Sequence, residues 1–113
     1  MTRALPLGVL LAWASAAAAE GPSAREVLAV CERALQQDFR GMDAAMCAWY
    51  AAPCECKIES ASRPETEKSC LPADTPEERV VREVLGRLRN EPSLDAPVET
   101  LVPKILADLY PCR

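Results

Sequence analysis

Hydrophobic residues recur at intervals of three and four in the first part of the chain, the spacing that places them on one face of an α-helix. The first such stretch predicts a helix over residues 24–37, which Ser23 and Glu26 open with a capping box. The second predicts a helix over residues 42–52, which Pro53 ends because proline has no N–H for the helical ladder. A polar turn between the two runs predicts an antiparallel helical hairpin.

A third run with helical spacing lies in the second half of the chain and predicts a helix over residues 76–89. Thr75 is placed to act as its N-cap, Pro76 occupies the first helical position, and Glu78 would close a capping box with Thr75. The acidic side chains at this end also face the positive pole of the helix dipole.

The last apolar run spans residues 98–109 and predicts a fourth helix. Pro103 lies inside it and should kink the helix or delay its regular start, because the proline ring clashes with the carbonyl four residues back. No stretch alternates apolar and polar residues as a strand would. The sequence therefore predicts an all-α fold, a small four-helix domain of two helical hairpins, joined by a polar loop over residues 53–72.

The N-terminus has the pattern of an export signal. Arg3 is followed by a short apolar run and by the small residues 14–19, so we expect residues 1–19 to be a signal peptide that is cleaved near Ala19. The apolar run is well short of the roughly 20 residues that span a bilayer, and no cysteine follows to carry a lipid. The mature domain, residues 20–113, is therefore expected in the periplasm without a membrane anchor.

Composition narrows the function mainly by exclusion. Arg3 is one of the 13 Lys and Arg residues, so 12 remain in the mature chain against 17 Asp and Glu residues. This negative balance argues against nucleic acid and anionic membranes as partners. The sequence has no histidine and only 4 glycines, which excludes His-dependent catalysis and leaves no Gly-rich phosphate loop. We therefore expect a protein that is not an enzyme and that carries no cofactor and no metal.

The chain has 6 cysteines, all in the exported part, where an even number predicts disulfides. Cys31 and Cys47 are equally distant from the turn of the first hairpin, and Cys70 and Cys112 are equally distant from the turn of the second. Antiparallel helices bring such positions together, so the sequence predicts the bonds Cys31–Cys47 and Cys70–Cys112. Each would contribute about 3–4 kcal/mol by loop entropy.

Cys54 and Cys56 remain, and a bond between them would close a very short, strained ring. Three alternatives stay open: a structural bond, to each other or by exchange with Cys70; a labile redox pair; or a soft-metal site. The acidic surroundings favour a structural bond, because only Lys57 is nearby to lower the pKa of a thiol.

The second helix carries the large side chains Met42, Met46, Trp49 and Tyr50, which we interpret mainly as core residues. An exposed Trp49 would instead fit a protein interface, where tryptophan is enriched.

A set of motifs in the second half of the chain occurs in a fixed order. It comprises Cys70-Leu71-Pro72 before a helix, Leu88 and Glu91-Pro92 at the exit of that helix, and the ending Tyr110-Pro111-Cys112. This order resembles the Rap/Tai family of type VI secretion immunity proteins. Upstream, Cys31 and Cys47-Ala48-Trp49-Tyr50 resemble the early cysteine and the Cys-x-x-Tyr of that family.

The resemblance implies an exported, disulfide-bonded, often homodimeric protein that binds and inhibits a peptidoglycan amidase effector and performs no chemistry. The polar loop between the hairpins is the most exposed candidate for contact with the effector, although a solvated linker explains it equally well. The candidate contact residues are Lys57, Glu59, Arg63, Glu65 and Lys68. The chain departs from the family at Pro53, where a glycine is usual, and in the additional Cys54 and Cys56.

Two other functions fit the same composition. A small helical, disulfide-linked periplasmic chaperone of the HdeA type would expose apolar surface when its carboxylates are protonated in acid. An accessory protein for redox or metal handling in the cell envelope would act through Cys54 and Cys56.

Overall fold

The computed structural model describes residues 21–53 and 63–112. The predicted signal peptide and four of the candidate residues lie outside the described residues: Cys54, Cys56, Lys57 and Glu59. The described part contains four α-helices and a short 3-10 turn, with two isolated bridges and no strand. The helices are α1 (Ala24–Gln36), α2 (Gly41–Ala51), α3 (Glu77–Leu88) and α4 (Val98–Leu109), and the 3-10 turn is Glu65–Glu67. The predicted all-α fold is confirmed.

Helix α1 begins as its sequence predicts. The Ser23 hydroxyl accepts a hydrogen bond from the Glu26 backbone N–H at 3.1 Å, and the Glu26 carboxylate accepts one from the Ser23 N–H at 2.8 Å. The next two N–H groups, those of Ala24 and Arg25, donate at 2.9 Å to the carbonyls of Ala96 and Leu94 in the turn before α4. These bonds satisfy donors that a helix start leaves without partners, and they join the two hairpins.

The start of α3 differs from the prediction. The Thr75 hydroxyl donates to the Pro72 carbonyl at 2.7 Å instead of capping the helix, and Pro76, with an extended backbone, is the N-cap. The carboxylate of Glu78 accepts from Arg82 one turn later, at 2.7 Å. The predicted capping box between Thr75 and Glu78 is therefore wrong, because the extended backbone of Pro76 moves the helix start to Glu77 and the Thr75 hydroxyl bonds to the preceding turn.

Helix α4 begins at Val98, where its apolar run starts, and continues through Pro103 to Leu109. The predicted delay of its regular start does not occur. Pro103 is buried, so its ring packs in the core while the helix loses the one backbone hydrogen bond that proline cannot donate.

The four helices share one hydrophobic core. Helix α3 lies at its centre and buries five apolar side chains, and no polar or charged residue is buried in the described part of the chain. The largest fully buried side chains are Leu85, Leu88, Val80, Val81, Val84, Val98, Cys31 and Cys47. The charged side chains of the described residues therefore lie at the surface, where they can contact a partner.

Both predicted disulfides are present, in contrasting environments. Cys31 and Cys47 are fully buried between α1 and α2. Cys70 and Cys112 are exposed at the open end of the second hairpin, where the Cys70 N–H also donates to the Tyr110 carbonyl at 2.8 Å.

This contrast predicts selective reduction. A thiolate must reach a sulfur to open a disulfide, so dithiothreitol should reduce Cys70–Cys112 in the folded protein while Cys31–Cys47 survives. Trapping of thiols with iodoacetamide, followed by peptide mapping, measures each bond separately. Reduction in denaturant should open both bonds together, and equal rates in native buffer would contradict the prediction.

Tyr110, after the end of α4, binds back to α3. Its hydroxyl donates a hydrogen bond to the Glu83 carboxylate. Burial of the phenol, the hydrogen bond to Glu83 and the negative charge of Glu83 together raise the pKa of Tyr110 to about 12, against a lowering by Arg79. The folded protein therefore favours the protonated phenol.

A loss of stability at high pH follows from this shift. Because the folded pKa of Tyr110 lies above the ordinary value of 10, its contribution is complete below pH 10 and is lost as the pH rises toward about 12. We expect the urea midpoint of the wild-type protein to exceed that of Tyr110→Phe at neutral pH, with the difference shrinking above pH 10. A difference in urea midpoint that stays constant from neutral pH to above pH 10 would contradict the raised pKa of Tyr110.

Candidate partner-binding surface

The loop predicted to contact a partner is described only from Arg63 onward. The Arg63 side chain is 21% exposed, and its guanidinium lies 3.9 Å from the carboxylate of Glu99 in the first turn of α4. Lys68 pairs with Glu65 across the 3-10 turn at 3.1 Å, and Glu65 is 83% exposed. Arg63 therefore helps to hold the loop against α4, and Glu65 is the most accessible of these three candidates.

A second surface lies on α2, where three large apolar side chains are exposed. Met42 is 74% exposed, Met46 47% and Trp49 49%. Their spacing of four and three residues places them on one side of the helix, and we call them the α2 face. The interpretation of Met42 and Met46 as core residues is wrong, whereas Tyr50 packs partly against the core as expected.

The α2 face points outward because α2 buries its small side chains instead. Ala44, Cys47 and Ala51 are all buried at a helical spacing of three and four. Small residues let two helices approach closely, and the bond from Cys47 to Cys31 holds their Cα atoms 4.9 Å apart. With Cys47 held inward, the large side chains of α2 turn toward solvent.

The sequence already contained a signal for this arrangement. The predicted bond of Cys47 to the first helix requires Cys47 to face inward. At about 100° of rotation per residue, Met42 and Trp49 then point away from it, and Met46 points to the side. The apolar spacing of α2 alone missed this, because apolar residues occur on nearly every side of the helix.

An open groove borders the α2 face, between α1 and α2, with a volume of about 270 Å³. We call it the α1–α2 groove. Its lining residues are mostly apolar, and Met46 belongs both to it and to the α2 face. The lining residues are Pro22, Glu26, Val27, Val30, Met46 and Tyr50.

Charge is sparse on this side of the protein. Asp43 is the only ionised side chain of α2, and Arg33 of α1 pairs with it at 3.4 Å. Glu26 is the only carboxylate among the described residues that line the groove, and one of its oxygens accepts from the Ser23 N–H. An apolar centre with few charges is typical of the core of a protein interface.

The described residues offer little for other chemistry. Within residues 21–53 and 63–112, no group of three Cys, Asp or Glu side chains is arranged to hold a metal ion. None of the four described helices combines the length and the apolar character that a membrane crossing requires.

Comparison with known proteins gives a family match. The family model described as Rap1a immunity proteins matches residues 23–112. No curated protein and no solved structure matches the chain. The matched range begins at the N-cap of α1 and ends at Cys112, so it includes α1 to α4 and both described disulfides.

Proposed function

We propose, because this chain belongs to the family of Rap1a immunity proteins, that it protects its own cell by inhibiting a peptidoglycan amidase effector of type VI secretion. The observation that carries the proposal is the match to the family over residues 23–112. The immunity protein would act in the periplasm. The export pattern of residues 1–19 and the disulfide bonds, which persist in oxidising compartments, support that location.

Inhibition would come from binding alone. An immunity protein blocks its effector by covering the active site or the substrate path, which requires a stable interface and no reaction. Such interfaces have an apolar centre that contains large side chains, and tryptophan contributes far more than its share of the binding energy.

The α2 face is the contact surface that best fits this role. Its exposed Met42, Met46 and Trp49 form a row along one helix, and the groove beside them extends the apolar area. Arg63, Glu65 and Lys68 remain a proposed second contact, with Glu65 as the most exposed member. The family resemblance also implies a homodimer, which we propose as a second interaction of this protein.

The direct test uses the candidate cognate effector, an amidase-like protein to be sought among the reading frames beside the gene for this chain. We expect the oxidised protein, recovered from the periplasm, to stop that amidase from releasing peptides from purified peptidoglycan, with inhibition complete at equal molar amounts. The control is the same protein after reduction and unfolding. Undiminished cleavage in the presence of an excess of the folded protein would refute the proposed function.

A further inference from the structure

We propose that Met42 and Met46 form an oxidation site through which peroxides weaken the binding of a protein partner to the α2 face. Peroxides would convert both thioethers to sulfoxides in the folded protein and leave the fold intact. The oxidation site itself stands apart from the proposed function, and only the loss of effector binding rests on that function.

The two thioethers are the sulfur groups of the described residues that are open to oxidation. The chain has 3 methionines, and Met1 lies in the predicted signal peptide, so the mature protein would retain Met42 and Met46. Their side chains are 74% and 47% exposed. The four described cysteines are joined in disulfides, in which the sulfur is already oxidised. Among the described sulfurs, a dissolved peroxide should therefore react first with these two methionines.

The reaction consumes one peroxide for each methionine. With hydrogen peroxide, a lone pair of the thioether sulfur attacks one peroxide oxygen, so that an S–O bond forms while the O–O bond breaks. The second oxygen leaves as hydroxide, takes the proton of the transferred hydroxyl group and becomes water. The sulfur loses two electrons and the peroxide gains them. Methionine sulfoxide reductases can reverse the change, so the modification need not be permanent.

The fold can accept the added oxygens because neither methionine is buried. Helix α2 places Ala44, Cys47 and Ala51 in the core and leaves both methionines exposed. A sulfoxide at either position would be hydrated in the free protein, so oxidation buries no polar group without a partner. We therefore expect the free energy of unfolding to change little.

A partner that covers the α2 face would contact a different surface after oxidation. Methionine is apolar and flexible, which suits an adaptable interface, whereas its sulfoxide is polar and chiral. Met42 and Met46 are one helical turn apart, so one partner would cover both new oxygens. Burial of polar groups without hydrogen bonds is unfavourable, and two such groups should weaken binding by about tenfold or more.

Oxidation rates test the site without any effector. We would treat the disulfide-bonded protein with dilute hydrogen peroxide, in native buffer and in denaturant, and quantify each sulfoxide by peptide mass spectrometry. In native buffer, Met42 should react at about the rate of the unfolded chain and Met46 at about half that rate, in keeping with their exposed fractions. The urea midpoint should not change. Protection of Met42 by about tenfold in native buffer, or unfolding on oxidation, would overturn the proposal.

The effect on binding is measured against a variant that cannot be oxidised at these positions. The double variant Met42→Leu, Met46→Leu keeps two apolar side chains of similar volume and every other oxidisable group of the chain. Each protein is compared with itself before and after peroxide, as the concentration that half-inhibits the amidase. This concentration should rise by about tenfold or more for the wild type and stay the same for the variant. An equal rise for both proteins would place the damage elsewhere and overturn the proposal.

The two proposals can fail separately. If the untreated protein inhibits no amidase, the proposed function fails, while rapid oxidation of both methionines without unfolding still supports the oxidation site. If the untreated protein inhibits the amidase and the doubly oxidised protein inhibits it equally well, the proposed function stands and the oxidation proposal fails.

Discussion

Replacing Cys31 and Cys47 together by alanine is expected to lower the free energy of unfolding by about 5 kcal/mol. The bond joins residues 16 apart, and release of that loop in the unfolded chain accounts for about 3 kcal/mol. The remainder comes from cavities, because both cysteines are fully buried and each lost sulfur costs about 1 kcal/mol. A small domain has only roughly 5–15 kcal/mol in total, so the variant should be largely unfolded on warming.

The second disulfide provides the matched control. Cys70 and Cys112 are 42 residues apart, so loop entropy alone predicts a larger loss for their removal, about 4 kcal/mol. Both are exposed, however, and their replacement by alanine leaves no cavity. We therefore expect the loss at Cys31–Cys47 to equal or exceed the loss at Cys70–Cys112 in urea unfolding. The opposite order would mean that loop length, and not burial, determines how much stability each disulfide contributes.

Trp49→Ala is expected to weaken binding of the effector by about 30-fold or more, the effect of removing a tryptophan at the centre of an interface. The physical reason is that the 49% exposed indole would bury a large apolar surface against the partner. Titration of amidase inhibition, or calorimetry with the inactivated amidase, measures the change. Because the side chain is half exposed in the free protein, the substitution should cost much less free energy of folding, followed by the thermal midpoint, than free energy of binding.

Two further variants separate a specific effect from a general one. Arg82→Ala alters an exposed side chain of α3 that pairs with Glu78 of the same helix, and the variant should bind the amidase as the wild type does. Glu65→Ala tests the second proposed contact, the segment around the 3-10 turn Glu65–Glu67. If Trp49→Ala inhibits normally and Glu65→Ala does not, the effector contacts that segment, and the assignment of the α2 face is wrong.

Local patterns in the sequence were enough to place the helices. Apolar spacing predicted 24–37 where α1 is Ala24–Gln36, and Pro53 correctly marked the end of α2. These features act over one or two turns of helix, so they are readable without tertiary structure. The symmetric positions of the cysteines about the two turns likewise predicted both bonds, since antiparallel helices leave little choice of partner.

The start of α3 shows where local rules compete. Thr75 and Glu78 match the capping-box pattern, but the backbone of Pro76 is extended, and the Thr75 hydroxyl donates to the Pro72 carbonyl instead. The pattern alone contains no information about which bond is stronger. The hydrogen bonds from Ala24 and Arg25 to the turn before α4 could not be predicted from local patterns either, because the bonded residues are about 70 positions apart in the chain.

The sequence by itself determined the all-α class, the order of the helices, both disulfide pairings and the resemblance to immunity proteins, because each depends on spacing along the chain. The apolar spacing of α2 did not show which side of the helix is exposed; the inward position of Cys47 and the tertiary packing decided it. That helix is apolar on nearly all sides, so periodicity could not orient it; packing of Ala44, Cys47 and Ala51 against the core did. The same packing turned Met42, Met46 and Trp49 to solvent and left the α1–α2 groove beside them.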